Sequence, residues 1–78
     1  MPASVAAYAD YKDVIDVQVP AMRTRARARL GRAVLLERTE KSQTQDQAAA
    51  ELGIVVEQIR RYEAEWRRWQ RERPGEEP

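Results

Sequence analysis

The apolar positions in the middle of the chain recur at helical spacing. Ala26, Leu30 and Val34 lie four residues apart and share one face of a helix, which is the pattern of an amphipathic segment. Together with the abundance of alanine, arginine and leucine, this pattern predicts a helix near residues 22–40. Gly31 lies inside that helix, where it costs about 1 kcal/mol relative to alanine.

The second half of the chain carries two further helices with recognisable ends. Thr44 is followed three residues later by Gln47, and this capping box predicts the start of a helix over residues 44–52. Gly53 fits the left-handed residue that closes such a helix. A third helix is predicted near residues 55–72, and a Pro-Gly pair ends it. Its apolar stripe consists of Ile59, Tyr62, Trp66 and Trp69.

The first 20 residues are less regular and are predicted to form an N-terminal arm, residues 1–20. Ser4 is a candidate N-cap for a short helix. Further along, Ile15, Val17 and Val19 alternate with polar residues, which is the period of a strand. A single strand leaves its backbone groups unpaired, so a strand here needs a partner chain. We expect a helical start and an extended end.

The composition limits the chemistry that the chain can perform. Its 78 residues include no cysteine and no histidine, which excludes disulfides, the usual zinc sites and Ser-His-Asp or Cys-His catalysis. The three glycines are too far apart for a glycine-rich phosphate loop. No apolar run approaches the ~20 residues of a membrane span. We therefore expect one small cytoplasmic domain that is not an enzyme, holds no metal or cofactor and does not enter a membrane.

The charge is unevenly distributed, although the net charge is only +1. Residues 23–38 contain six arginines and one glutamate, and residues 59–73 contain six arginines and three glutamates. The segment between these basic blocks is acidic. Residues 74–78 carry two further glutamates and are expected to form a disordered acidic tail. Two basic blocks on a small domain favour a nucleic-acid partner.

Residues 45–62 carry the pattern of two short helices that cross at a tight turn. Ala49 is small where the second helix crosses the first, and Gly53 makes the turn. The angle between the helices is filled by Leu52, Ile54, Ile59 and Tyr62. This stretch resembles the helix-turn-helix motif, in the trihelical form found in transposases and promoter-binding sigma-factor domains. The resemblance covers about residues 25–65.

The resemblance implies an all-α, trihelical helix-turn-helix domain over residues 21–73, with an extended last helix that lies in the major groove of double-stranded DNA. The predicted core consists of Leu30, Val34, Leu52, Ile54, Ile59 and Tyr62. The predicted base contacts are Gln58 to adenine and Arg60 or Arg61 to guanine. The predicted phosphate contacts are Arg23, Arg25, Arg27, Arg29 and Thr44.

Three positions depart from the usual motif. Val55 stands where the family usually has a serine or threonine cap, Val56 stands where a polar or basic residue is common, and Glu57 adds a negative charge near the DNA. The missing cap costs about 1 kcal/mol. The departures affect the reading of DNA sequence more than the fold. An ion pair between Glu57 and Arg61 on a solvated face is the alternative to base contacts.

The four alternating arginines of residues 23–29 spread around most of a helix, so one groove face does not reach all of them. Some would contact phosphates and others would be solvated. If the stretch is extended instead, all four arginines lie on one edge, as in an arm that enters the minor groove. The sequence leaves both arrangements open, together with a merely solvated helix face.

Trp66 and Trp69 extend the apolar stripe beyond what a trihelical core needs. With Ile59 and Tyr62 they follow spacings of three and four, which is the pattern of paired helices. Large aromatic side chains left in water would form an unusual patch. We therefore expect the two tryptophans to be dimer contacts, with packing inside the monomer as the alternative.

The sequence thus predicts a small DNA-binding transcription regulator that acts as a homodimer at the nucleoid. The alternative is a protein-interaction module on the same scaffold, such as an antitoxin, an anti-activator or a phage-encoded inhibitor. The missing cap and Glu57 favour this alternative. An RNA-binding protein is a third reading, but the sequence predicts no exposed sheet with stacking aromatics.

Overall fold

The computed structural model describes residues 3–14 and 20–78, which form four helices. They are α1 (Ala3–Val14), α2 (Pro20–Glu40), α3 (Gln45–Leu52) and α4 (Val56–Glu72). No strand occurs within the described ranges, so the all-α class is confirmed there. The last three helices begin within two residues of their predicted starts and end as predicted. The predicted extended stretch lies at residues 15–19, outside the described residues.

The ends of α3 form as the sequence predicts. The hydroxyl of Thr44 accepts a hydrogen bond from the N–H of Gln47 at 3.1 Å, and the Gln47 side chain accepts one from the N–H of Thr44 at 2.8 Å. Gly53 closes the helix at φ 71°, and its N–H donates to the carbonyl of Ala50 at 3.2 Å. Val55 precedes α4 and makes no side-chain cap hydrogen bond. The capping box, the left-handed glycine and the missing cap are therefore all confirmed.

Helix α2 is central, because it packs against both α1 and α4, while α3 packs mainly against α4. Four of the predicted core residues are almost completely buried, namely Leu30, Val34, Ile59 and Tyr62. The other two, Leu52 and Ile54, are half-buried and pack against the edge of this cluster. The apolar periodicity thus identifies the centre of the core correctly.

Helix α1 adds a layer to this core. Ala7 and Tyr11 are buried, and the ring of Tyr11 meets the edge of Tyr62 with centroids 5.5 Å apart. Ser4 lies inside the first turn of α1 rather than before it. Its N–H donates to Oε1 of Glu37 at 2.9 Å, and its hydroxyl donates to Oε2 of the same carboxylate. A carboxylate from α2 thus satisfies a backbone donor at the start of α1.

Gly31 marks a close approach of α2 to α4. A Cβ atom at this position would lie 1.9 Å from the carbonyl oxygen of Tyr62 and 2.5 Å from its carbonyl carbon. These neighbours belong to the backbone, so no side chain can move aside to make room. The expectation that Gly31 is only a weak point of its helix is therefore wrong. The glycine lowers helix propensity, but it permits the packing of α2 on α4.

Candidate nucleic-acid interface

Helix α4 carries its apolar and its basic side chains on opposite faces. Ile59, Tyr62 and Trp69 are buried against the rest of the chain. The exposed residues on the other side are Glu57, Arg60, Arg61, Ala64, Arg67, Arg68 and Arg71. Spacings of three and four keep these residues in one stripe along the helix, which we call the outward face of α4. The small side chain of Ala64 lies in the middle of this stripe.

Five arginines and one glutamate make the outward face strongly positive. Glu57 pairs with Arg60 at 2.6 Å, three residues further on. The alternative prediction of an ion pair between Glu57 and Arg61 is therefore wrong, because Glu57 pairs with Arg60 instead. Within the described part of the chain, neither Arg61 nor Arg71 forms an ion pair. The charge of these two side chains is consequently exposed to solvent and open to a ligand.

The three predicted base contacts lie near the start of α4 but are not equally accessible. Arg60 and Arg61 are exposed, whereas Gln58 is half-buried at the edge of the outward face. Arg60 shares its charge with Glu57. In the first turn of α4, Glu57 also interacts favourably with the positive end of the helix dipole, which offsets part of the missing cap. Of the two exposed arginines, Arg61 is the one that forms no ion pair with another described residue.

Behind the outward face, the buried carboxylate of Glu63 connects three helices. Its side chain is 0% exposed. The guanidinium of Arg38 in α2 donates to both of its oxygens, at 2.6 and 2.8 Å. Gln45 of α3 donates to Oε1 at 3.2 Å, and Arg67 of α4 lies 3.5 Å from the same oxygen. The hydrogen bonds to Glu63 raise the pKa of Arg38 above its ordinary value. This cluster fixes α4 relative to α2 and α3.

Sequence reasoning did not identify Glu63 as a structural residue. The available signal was its spacing, because Glu63 lies four residues after Ile59 and directly after Tyr62, on the edge of the buried face. A glutamate at that position is either solvated at the boundary or buried with a cation. The choice depends on Arg38, which lies 25 positions earlier in the chain.

The arginines of α2 that were predicted to contact phosphates point in different directions. Arg27 donates through Nε to the hydroxyl of Tyr11 at 3.3 Å, and its guanidinium lies 5.9 Å from the centre of that ring. The hydrogen bond raises the pKa of Arg27. Arg23 is half-buried, whereas Arg25 and Arg29 are exposed. The bond to Tyr11 uses one of the five N–H donors of Arg27, so a phosphate contact by Arg27 stays a prediction.

Thr44, the fifth predicted phosphate contact, is exposed at the start of α3. Its hydroxyl oxygen accepts the capping hydrogen bond from Gln47. The hydroxyl proton remains a donor, so a phosphate contact by Thr44 stays a prediction.

The tryptophans, predicted to be dimer contacts, differ in their surroundings. Trp69 is only 4% exposed within the single chain. Arg25 and Arg73 lie 5.7 and 4.3 Å from the centre of its ring. Trp66 is half-buried, and the guanidinium of Arg32 lies 5.5 Å from its ring centre. The argument that Trp69 needs a second subunit therefore loses its basis. A dimer contact at Trp66 stays a prediction.

Residues 74–78, expected to be a disordered tail, instead fold back over α2 and α4. The indole N–H of Trp69 donates to the carbonyl of Glu76 at 2.7 Å. Arg29 donates to the carbonyl of Pro78 at 2.9 Å, and Arg32 lies 3.5 Å from the carboxylate of Glu77. The donors that hold the tail lie up to 49 positions earlier in the chain, so the local sequence does not reveal these contacts.

Within residues 3–14 and 20–78, no three acidic side chains come together in a way that would hold a metal ion. Among the helices described, none combines the length and the apolar character that a membrane crossing requires. No family model, curated protein or solved structure matches the chain.

Proposed function

We propose that the protein binds double-stranded DNA through the outward face of α4, in the manner of a helix-turn-helix protein. The predicted motif supports this proposal, since a capped α3 and a left-handed glycine precede α4. In this proposal α4 is the second helix of the motif, the one that enters the major groove in proteins of this type. In a cell, such a protein would act at the nucleoid as a regulator of transcription.

The observation that carries the proposal is the exposed row of five arginines on a helix that is fixed from behind. The Glu63 cluster holds α4 against α2 and α3, so the outward face can bind DNA without a rearrangement of the helices. Arginine matches phosphate oxygens by bidentate hydrogen bonds and also reads guanine. The alanine at position 64 lets the helix approach a groove closely in the middle of this row.

Phosphate contacts are proposed to supply most of the affinity. Arg60 is paired with Glu57, and Gln58 is half-buried, so two of the three predicted base-reading side chains are partly engaged within the fold. Contacts to phosphates need only positive charge along the helix, which the outward face retains. Binding should therefore depend steeply on salt concentration and only weakly on base sequence.

The test is the binding of a fluorescently labelled duplex of random sequence, followed by anisotropy over a range of salt concentrations. We expect the double variant Arg60→Gln/Arg61→Gln to bind about tenfold to a hundredfold more weakly than the wild type at low salt. Each phosphate contact that is lost should also lower the salt slope by about one. The matched control is Arg71→Gln, which removes a charge about 15 Å further along the helix.

Three outcomes of this test are distinguishable. A large loss for the double variant, with a small loss for Arg71→Gln, supports entry of α4 by its N-terminal half. Losses that scale only with the number of charges removed would show diffuse attraction and contradict a docked helix. No binding by the wild type at low salt would overturn the proposal.

A second candidate function is protein binding, and a groove between α1 and α2 favours it. The groove has a volume of about 370 Å³ and contains apolar side chains from both helices, among them Ala7, Ala33 and Leu36. Leu36 is 56% exposed, so its side chain is accessible to a partner. Asp10 and Arg32 lie at its rim.

Leu36→Glu separates the two functions. The substitution places a charge in the groove, which Arg29 and Arg32 also line, and leaves the outward face of α4 unchanged, so binding of a duplex too short to reach these two arginines should persist. A protein partner that binds in the groove would lose its affinity. The variant should be compared with the wild type by size-exclusion chromatography with light scattering, because a second copy is one occupant to be detected.

A further inference from the structure

A second basic surface lies where α2 runs beside the last turns of α4. Arg25, Arg29 and Arg32 follow one another at spacings of four and three, so they share one face of α2. Two of them lie over the tryptophans of α4, Arg25 over Trp69 and Arg32 over Trp66. We call these three arginines and two tryptophans the basic seam. It is separate from the outward face of α4, which points away from α2.

The basic seam is covered by the chain's own acidic tail, residues 74–78. The tail brings three oxygen atoms to the seam: the Glu76 carbonyl to the Trp69 indole N–H, the Pro78 carbonyl to Arg29, and the Glu77 carboxylate to Arg32. Two of these oxygens contact arginines, and phosphate oxygens accept the same kind of N–H hydrogen bond from arginine. The seam therefore already holds an anionic, oxygen-rich segment.

The contact between the tail and Arg32 is weak enough for a competing ligand to break. The ion pair of Arg32 with Glu77 is 3.5 Å long, and the two side chains are 38% and 79% exposed. Exposed pairs of this kind contribute little and weaken further with salt. A nucleic-acid backbone offers one full charge per phosphate and bidentate geometry to arginine. A phosphate backbone is thus a stronger ligand for the seam than the tail is.

We propose that the basic seam is a second phosphate-binding surface and that the acidic tail occupies it as an internal competitor. This inference rests on the proposed DNA-binding function. In the free protein the tail masks Arg29 and Arg32. A phosphate backbone that reaches the seam displaces the tail and adds contacts along α2. The tail thereby lowers the affinity for duplexes that reach the seam and leaves the affinity for shorter sites unchanged.

The test compares the wild type with the tail-neutral variant, a chain shortened after Pro74 that lacks Glu76, Glu77 and all three tail oxygens, in binding to a 24-base-pair duplex at fixed salt. We expect the variant to bind about fivefold more tightly. The matched control is Glu40→Gln/Glu51→Gln, which removes the same number of negative charges from exposed side chains away from the seam. Its gain should be clearly smaller, because it reports only the change in net charge.

The second comparison makes the same truncation in a chain that also carries Arg29→Gln/Arg32→Gln. With the seam removed, removing the tail should give no gain beyond that of the control. Gains of equal size for the tail-neutral and control variants, or a gain that persists without the two arginines, would overturn the inference while leaving the proposed function intact. Failure of every variant to bind the duplex would overturn both.

Displacement of the tail is measured directly from the indole N–H signal of Trp69 in a nitrogen-15 correlation spectrum. A chain shortened after Pro74 gives the reference position for an empty seam. Saturating duplex should move the wild-type signal towards that reference, and a signal that stays at its free position would contradict displacement.

If a glutamate-rich peptide binds the tail-neutral variant while the duplex does not, the seam recognises acidic protein segments and the phosphate assignment is wrong.

Discussion

The two arginine-rich helices of this protein use similar side chains for different purposes. In α2, Arg27 binds Tyr11 of α1 and Arg38 binds the buried carboxylate of Glu63. In α4, Arg61 and Arg71 extend into solvent and have no ion-pair partner within the described residues. The number of arginines in a segment therefore indicates little about their role. Their position relative to the buried face decides whether they support the fold or remain available for a ligand.

The largest expected effect concerns the arginine that supports the fold. Arg38→Met leaves the Glu63 carboxylate buried without its main partner, so the free energy of unfolding should fall by about 3 kcal/mol. Chemical denaturation measures this loss. Arg68→Met, which removes an arginine paired with the exposed Glu72, is the control and should change stability little. Equal losses of stability for the two variants would show that Arg38 supports the fold no more than Arg68 does.

The close contact that joins the two helices gives the next effect. Gly31→Ala should lower the free energy of unfolding by about 2 kcal/mol, because the added methyl group overlaps the backbone at Tyr62. In an unobstructed helix the same substitution would stabilise by about 1 kcal/mol. The sign of the change in melting temperature therefore shows whether α2 and α4 are in close contact at Gly31. A more stable variant would show that α2 does not approach α4 as closely as described.

The contrast between the helices is tested most directly by one arginine from each. Arg61→Gln should weaken DNA binding about tenfold and leave the melting temperature unchanged, since the side chain contributes only to the outward face. Arg27→Gln should do the opposite: about 1 kcal/mol of stability is lost with the Tyr11 hydrogen bond, while DNA affinity is retained. Anisotropy and thermal denaturation of both variants measure the two properties. The reverse pattern would assign DNA binding to α2.

The smallest effect depends on pH and concerns Tyr62, where α1, α2 and α4 meet. Burial raises the pKa of Tyr62 to about 12, above its ordinary value near 10. The folded state therefore favours the neutral phenol, and the resulting stability is fully present below pH 10 and is lost as the pH rises from 10 to 12. The loss should reach about 1 kcal/mol near pH 11. Denaturant titrations at pH 9 and 11 measure it.

Tyr62→Phe is the control for the alkaline loss, because it keeps the ring and removes the ionisable group. Its stability should fall less between pH 9 and 11 than that of the wild type. Identical losses would mean that other groups cause the alkaline destabilisation.

Much of the architecture follows from signals that span four residues or fewer. Thr44 and Gln47 set the start of α3, Gly53 sets its end, and the apolar spacing identifies Leu30 and Ile59 as core residues. These features are predictable because a helix cap or a helical face depends only on near neighbours in the chain. The exposed arginines of the candidate site are predictable for the same reason, since the outward face is the complement of the buried one.

The sequence by itself determined α2, α3 and α4, the ends of these three helices and the basic face of α4. Only the tertiary structure decided that Gly31 is required for close packing, that Glu63 is buried with Arg38, and that the acidic tail binds Arg29. Each of these contacts joins residues 25 to 49 positions apart or, at Gly31, two separate helices. The charge or the size of one residue does not specify such a distant partner. Only the packing of the helices brings the two residues within contact distance.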